Sequence, residues 1–266
     1  MKKVNGLILG LAVLLAFGCG GDEKKKEDPT PETLPQKNCR VIEQVNANGS
    51  KNTFVYNSDG KISRINYLLP APNTSYHVEI SYNTAGNIAE EKTIKDKNEY
   101  ESGNLYSYNA DNLPDKIKNY LVMNGDPVVN GFREYKYNAS KQVIKINYFS
   151  VPDTVLNFYK VYSYSSPNLV VEKQYQRDAS GSFYLAQTVT TQYDNNKHPY
   201  LALGYYYYPR LVSANNVLKK NFEYRTGTMS EVAFTYVYNS QGYPVQQTTV
   251  ENRSSGSTNT WTYDCQ

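Results

Sequence analysis

Eight times the chain repeats nearly one phrase: a bulky residue, one further residue, Tyr, then usually Asn or Asp leading into a tight turn. The copies are Phe54-Val55-Tyr56-Asn57, Ile80-Ser81-Tyr82-Asn83, Tyr106-Ser107-Tyr108-Asn109, Tyr135-Lys136-Tyr137-Asn138, Tyr162-Ser163-Tyr164-Ser165, Thr191-Gln192-Tyr193-Asp194, Phe222-Glu223-Tyr224-Arg225 and Tyr236-Val237-Tyr238-Asn239. A truncated ninth, Trp261-Thr262-Tyr263-Asp264, stands near the C-terminus. Recurrence of one supersecondary unit dictates architecture before any single residue is weighed. It carries no chemistry of its own.

The two bulky positions of each phrase are two residues apart and share one face of a strand. Ser81, Ser107, Lys136, Ser163, Gln192 and Glu223 stand between them, so the other face is wet. Asn57-Ser58-Asp59-Gly60, Asn83-Thr84-Ala85-Gly86 and Asn239-Ser240-Gln241-Gly242 then supply residues that tolerate the positive φ of a hairpin. Beyond the turn, apolar residues resume in a step of three and then two, as in Ile62, Ile65 and Tyr67, which predicts a bulge early in the returning strand.

Most copies lie about 26–31 residues apart, room for two strands and two turns. The shorter step from Tyr224 to Tyr238 places the phrase on consecutive strands. The pattern predicts an all-β, antiparallel up-and-down meander of about 16 strands between Arg40 and Cys265, a soluble barrel closed or nearly so. With 27 Tyr in the chain, its interior must be aromatic, with hydroxyls satisfied by neighbours or water. A membrane-spanning barrel would need an apolar outer band. Here the alternate face carries Lys, Glu, Ser and Gln, and mean hydropathy is −0.65.

Three segments follow: a signal over 1–18, a polar tether over 19–37 and one all-β domain over 38–266. Lys2 and Lys3 precede an apolar run from Val4 to Phe17, the form of an export signal. Leu15-Ala16-Phe17-Gly18-Cys19 resembles a bacterial lipobox, which implies diacylation of Cys19. The charged stretch Gly20–Asp28, followed by Pro29, Pro31 and Pro35, cannot bury apolar surface and reads as a disordered tether. Acidic residues just after the cysteine resemble the signal by which some gut anaerobes send lipoproteins to the outer face of the outer membrane. The expected location is therefore the outer membrane, lipid-anchored and surface-exposed.

With Cys19 assigned to lipid, Cys39 and Cys265 remain at the two ends of the domain. In an oxidising compartment two such thiols pair. Pairing them would lay the first strand beside the last, which requires an even strand count and a sheet that returns on itself.

The Tyr-x-Tyr-Asn/Asp-x-x-Gly phrase with a following Ile or Val resembles the tyrosine–aspartate repeat of Rhs-type toxin shells. It is more similar still to a family of uncharacterised lipoproteins whose domain of unknown function is a porin-like, water-soluble β-barrel. That likeness spans Cys39 to Cys265 and takes in the cysteine pair and Ser213-Ala214-Asn215-Asn216. It implies the barrel and brings no catalytic residue with it.

Chemistry is sparse. The histidines are His77, on the wet face of the fourth strand, and His198, in a turn before Pro199. Neither stands in a triad context. Asp59, Asp111 and Asp194 fall at turns and lack the dense alternation of a calcium loop. A metal, a cofactor and nucleic acid as partner are not expected; net charge is only +3.

Lys197–Asn216 interrupts the repeat. Its Tyr205, Tyr206, Tyr207, Tyr208 and Arg210 read either as a sugar-stacking platform or as an insertion plugging a barrel too wide for its own side chains. Asp153-Thr154-Val155 fits a short acceptor pattern for O-glycosylation at Thr154. The expected function is a non-catalytic binding or envelope module for glycan or an envelope protein. The rival reading is a polysaccharide hydrolase with carboxylates that spacing alone does not identify.

Overall fold

The computed structural model describes residues 39–265 except 73–74, 96–99, 166, 204–212, 253 and 255. The expected signal, tether and Cys19 lie outside the described residues. Sixteen antiparallel strands follow in chain order: β1 (Cys39–Val45), β2 (Lys51–Tyr56), β3 (Ile62–Leu68), β4 (Tyr76–Tyr82), β5 (Ile88–Lys95), β6 (Tyr100–Tyr108), β7 (Pro114–Met123) and β8 (Asp126–Tyr137). Then come β9 (Val143–Ser150), β10 (Val155–Ser165), β11 (Asn168–Arg177), β12 (Phe183–Lys197), β13 (Asn215–Tyr224), β14 (Met229–Tyr238), β15 (Pro244–Glu251) and β16 (Ser257–Cys265). Each strand pairs with its chain neighbours, and β1 pairs with β16 in the register Cys39↔Cys265, so the barrel closes. The two cysteines form a disulfide across that seam.

The phrase explains the hairpins. Asn57 N–H donates to the Lys61 carbonyl at 2.8 Å, and Gly60 N–H donates to the Asn57 carbonyl at 3.0 Å. The Asn57 Oδ1 accepts from Asp59 and Lys61 N–H, at 3.1 and 2.9 Å. Gly60 takes φ +74°, a region glycine enters without steric cost. The expected bulge follows at once: Tyr56 pairs with Ile62 while Val55 pairs with Arg64. The same two-against-one step recurs at Tyr82, Tyr108, Tyr137 and Tyr238. It keeps Ile62 and Ile65 on the inner face although they are three residues apart.

Val41, Phe54, Ile62, Ile65, Ile80, Ile88, Ile117, Tyr135, Val143, Ile146, Tyr162, Leu169 and Trp261 meet inside one end of the barrel, here termed the repeat end. The outer wall carries the ion pairs Lys51–Glu43 at 3.0 Å, Arg64–Glu79 at 2.7 Å and Lys116–Glu134 at 3.0 Å. A lipid-facing band penalises such charges within a strand.

Sharing a face with the bulky residue two positions earlier predicts that Tyr82, Tyr108 and Tyr137 are mostly buried; they are half-buried, while Ser81, Ser107 and Lys136 are exposed on the opposite face as expected. The fully buried member is instead the bulky residue two positions earlier, such as Ile80 or Tyr135. The phrase tyrosines stand at the rim because their hydroxyls bond the neighbouring strand. Tyr82 donates to the Ile62 carbonyl at 2.6 Å, Tyr108 to Ile88 at 2.7 Å and Tyr137 to Pro114 at 2.7 Å. Tyr56, Tyr164 and Tyr263 do the same to Val41, Val143 and Pro244. Burial pushes the Tyr82 hydroxyl up to about 12, so it stays a donor at physiological pH.

Two copies depart from the pattern. Phe222–Tyr224 ends β13, whereas Tyr236–Tyr238 ends β14, so the seventh copy lies at the opposite rim, with Tyr224 exposed. Asp59 and Asp111 occupy turns as expected, but Asp194 lies within β12, which runs on past its phrase tyrosine to Lys197. Its carboxylate accepts from Asn196 N–H at 2.9 Å, Asn216 N–H at 2.9 Å, Asn216 Nδ2 at 3.2 Å and the Tyr238 hydroxyl. Those bonds replace a turn with a clamp at the base of the inserted segment.

Candidate functional site: the barrel lumen

A barrel of sixteen strands is too wide for wall side chains alone to fill. At the repeat end residues 198–203 of the inserted segment add to the filling. His198 N–H donates to the Ala214 carbonyl at 3.0 Å, and a 3₁₀ turn at Leu201–Leu203 follows. Leu203 is buried in the core cluster. Tyr200 reaches across to β1 and β16: its hydroxyl donates to Gln44 Oε1 and accepts from Trp261 Nε1 at 3.1 Å, and its ring stands 6.0 Å from Phe54. The plug reading therefore holds for this described part. Tyr205, Tyr206, Tyr207, Tyr208 and Arg210 lie outside the described residues.

Beyond the core, the inner face turns polar. Alternation and register place Gln44, Asn52, Glu91, Asn104, Asn119, Gln174, Gln187, Gln247 and Asn259 inward. Every one of these side chains is half-buried, so water reaches this part of the lumen. They interlock along the wall. Asn104 Nδ2 donates to Glu91 at 2.8 Å, Asn119 Nδ2 donates to Asn104, and Asn259 Nδ2 donates to Gln247 at 3.1 Å. Gln247 Nε2 in turn donates to the Tyr236 hydroxyl at 2.8 Å. On the opposite wall Lys160 Nζ holds the buried Glu172 carboxylate at 2.9 Å. Stacked inner pairs Tyr67–Tyr76 and Tyr148–Phe158, at 4.6 and 4.1 Å between centroids, complete a lining of amides and aromatics. Such a lining offers donors, acceptors and apolar ring edges together, the chemistry that a polyhydroxylated ligand requires.

The outer wall holds two further features. A groove of about 650 Å³ over β12–β15 is lined by Thr188, Asn221, Glu223, Glu231 and Asn252, and Lys219 pairs with Glu231. Phe132–Phe149 and Tyr159–Tyr175 stack across strands at 4.6 and 4.7 Å, with Lys116 over Phe132 and Lys145 over Tyr159. Each of those rings spends a face on its neighbour. Sequence reasoning missed this stripe, although the signal was present as bulky residues at the wet positions of β8–β11.

The remaining candidates are scattered. His77 lies on the outer wall, 3.6 Å from Glu79, as a wet-face residue. Thr154 is exposed in the turn between β9 and β10, at φ +52°. Among the described residues no group of three or more His, Cys, Asp and Glu side chains could hold a metal ion.

This closed, antiparallel, sixteen-stranded architecture is found in solved structures. The chain is similar to a porin-like protein from Bacteroides uniformis, with TM-score 0.57 and 12% identity over 86% of this chain and 99% of that one. It is also similar to a porin-like protein from Bacteroides vulgatus, with TM-score 0.55 and 13% identity over 85% and 99% of the respective chains. At such identities the likeness is one of fold. No protein-family model matches the chain, and no curated protein matches it.

Proposed function

We propose that this protein is an outer-membrane lipoprotein, anchored through Cys19 and displayed at the cell surface, whose barrel lumen binds glycan without catalysis. The observation that carries the binding reading is the polar inner face: a barrel built only for packing would not line its lumen with half-buried amides. The charged outer wall supports a barrel that stands in water and is tethered by lipid rather than inserted. The resemblance to surface lipoproteins supports the same address, and exposed Thr154 is accessible for the O-glycosylation its tripeptide suggests.

Calorimetry of the folded domain against neutral oligosaccharides tests the binding. Gln174→Leu with Gln187→Leu, a cross-strand inner pair, should weaken binding at least ~10-fold, the effect of losing one or two hydrogen bonds to ligand. Unchanged affinity would remove the lumen from consideration. The outer groove keeps a second reading alive through Glu223 and Glu231. Release of reducing ends by the wild type, lost in Glu223→Gln or Glu231→Gln, would assign a hydrolase there instead.

The anchor has its own test. Cys19→Ser should leave the precursor unprocessed or the protein soluble. A variant that still partitions with membranes and loses its signal normally refutes lipidation at that residue.

A further inference from the structure

We propose that residues 198–203, seated in the repeat end of the barrel, form an acid-released stopper with His198 as its sensor. The inference deepens the lumen reading above, since it concerns access to that lumen. The Nδ1 of His198 accepts the Tyr200 N–H at 3.2 Å, and its ring packs edge-on against Tyr200 at 5.5 Å between centroids. That acceptor bends the chain so that Tyr200 enters the lumen and meets Gln44, Trp261 and Phe54. A protonated imidazole has no lone pair at Nδ1. Charging His198 therefore turns an acceptor into a donor facing another donor, at the point where the stopper is held.

The charged groups facing His198 come from both flanking strands. Asp194 of β12 favours the imidazolium, and Lys220 of β13 opposes it. Asp194 is also engaged by Asn196, Asn216 and Tyr238, so its charge is shared among several donors. Burial is the largest influence and pushes the imidazole down to about 4 from its ordinary 6.5. The direction of the linkage follows. The closed form excludes the proton, so closure is fully stable above pH 6.5 and weakens as pH falls towards about 4. The ratio of closed to released forms should fall about 80-fold by pH 4.5, towards a limit of about 300-fold well below pH 4, tenfold for each unit of difference in pKa.

Trp261 reports the event, because it is the single tryptophan of the chain and donates to the Tyr200 hydroxyl. Its emission is followed in the full-length protein from pH 7.5 to 4.5, without glycan, with far-ultraviolet circular dichroism monitoring the sheet. The wild type should show a reversible change in emission while the strand signal holds. His198→Asn retains an acceptor near Nδ1 and cannot be charged, so its emission should stay flat. Tyr200→Phe, which loses the bonds to Gln44 and Trp261, should move the transition to higher pH. An unresponsive wild type, or the same transition in His198→Asn, overturns the stopper. Because no ligand is present, that result leaves the glycan reading to its own calorimetric test.

Discussion

Replacing Cys39 and Cys265 together by serine is expected to lower stability by about 4–5 kcal/mol, read as a fall in the urea midpoint with a somewhat steeper slope, because the unfolded chain expands without the bridge. The bridge spans a sequence separation of 226, so on the chain-entropy account it removes a large loop freedom from the unfolded ensemble. It also sits at the seam where β1 meets β16, the pairing of greatest sequence separation in the barrel. Arg40 and Asp264, paired beside it at 2.8 Å, cannot substitute for it, since both side chains are about a third exposed. An unchanged midpoint would mean that the ladder alone holds the seam. Refolding of the variant should slow as well, because the terminal strands must then find each other through diffusion.

The second large effect is expected in the core. Tyr135→Ala should cost about 3–5 kcal/mol, because a buried aromatic is deleted from the closed end of the barrel. Tyr108→Phe should cost only about 1 kcal/mol, the net value of the hydroxyl bond to the Ile88 carbonyl. Chemical denaturation of the two variants separates packing from rim bonding. Equal losses would contradict the division of labour between the two bulky positions of the phrase, one in the core and one at the rim.

Much of this architecture was legible from local pattern. Alternation in Tyr106-Ser107-Tyr108, turn residues such as Asn83 and Gly86, and the uneven step from Ile62 to Ile65 to Tyr67 encode strand, hairpin and bulge within a few residues. Strand number followed from the spacing of copies, and closure from the cysteines at both ends. Degenerate copies were harder. Phe222-Glu223-Tyr224 matches the phrase yet stands at the opposite rim, since a strand has two ends and periodicity cannot say which one a turn occupies.

The lumen was far less visible. Gln44, Asn104 and Gln247 are ordinary polar residues in the sequence, indistinguishable from the wet positions beside them. Register decides that they face inward, and register depends on bulges that shift one strand against its neighbour. Asp194 was misplaced for a similar reason, because its carboxylate is occupied by Asn216 and Tyr238, residues far along the chain.

By itself, then, the order of residues determined what short-range physics can read: strand period, turn chemistry, bulge position and the cysteines able to staple the ends. Only the tertiary structure decided which face became the inside, which tyrosines reached the core, and where His198 and Tyr200 came to rest against Gln44 and Trp261. Those outcomes depend on closing the sheet, which brings together groups separated by most of the chain.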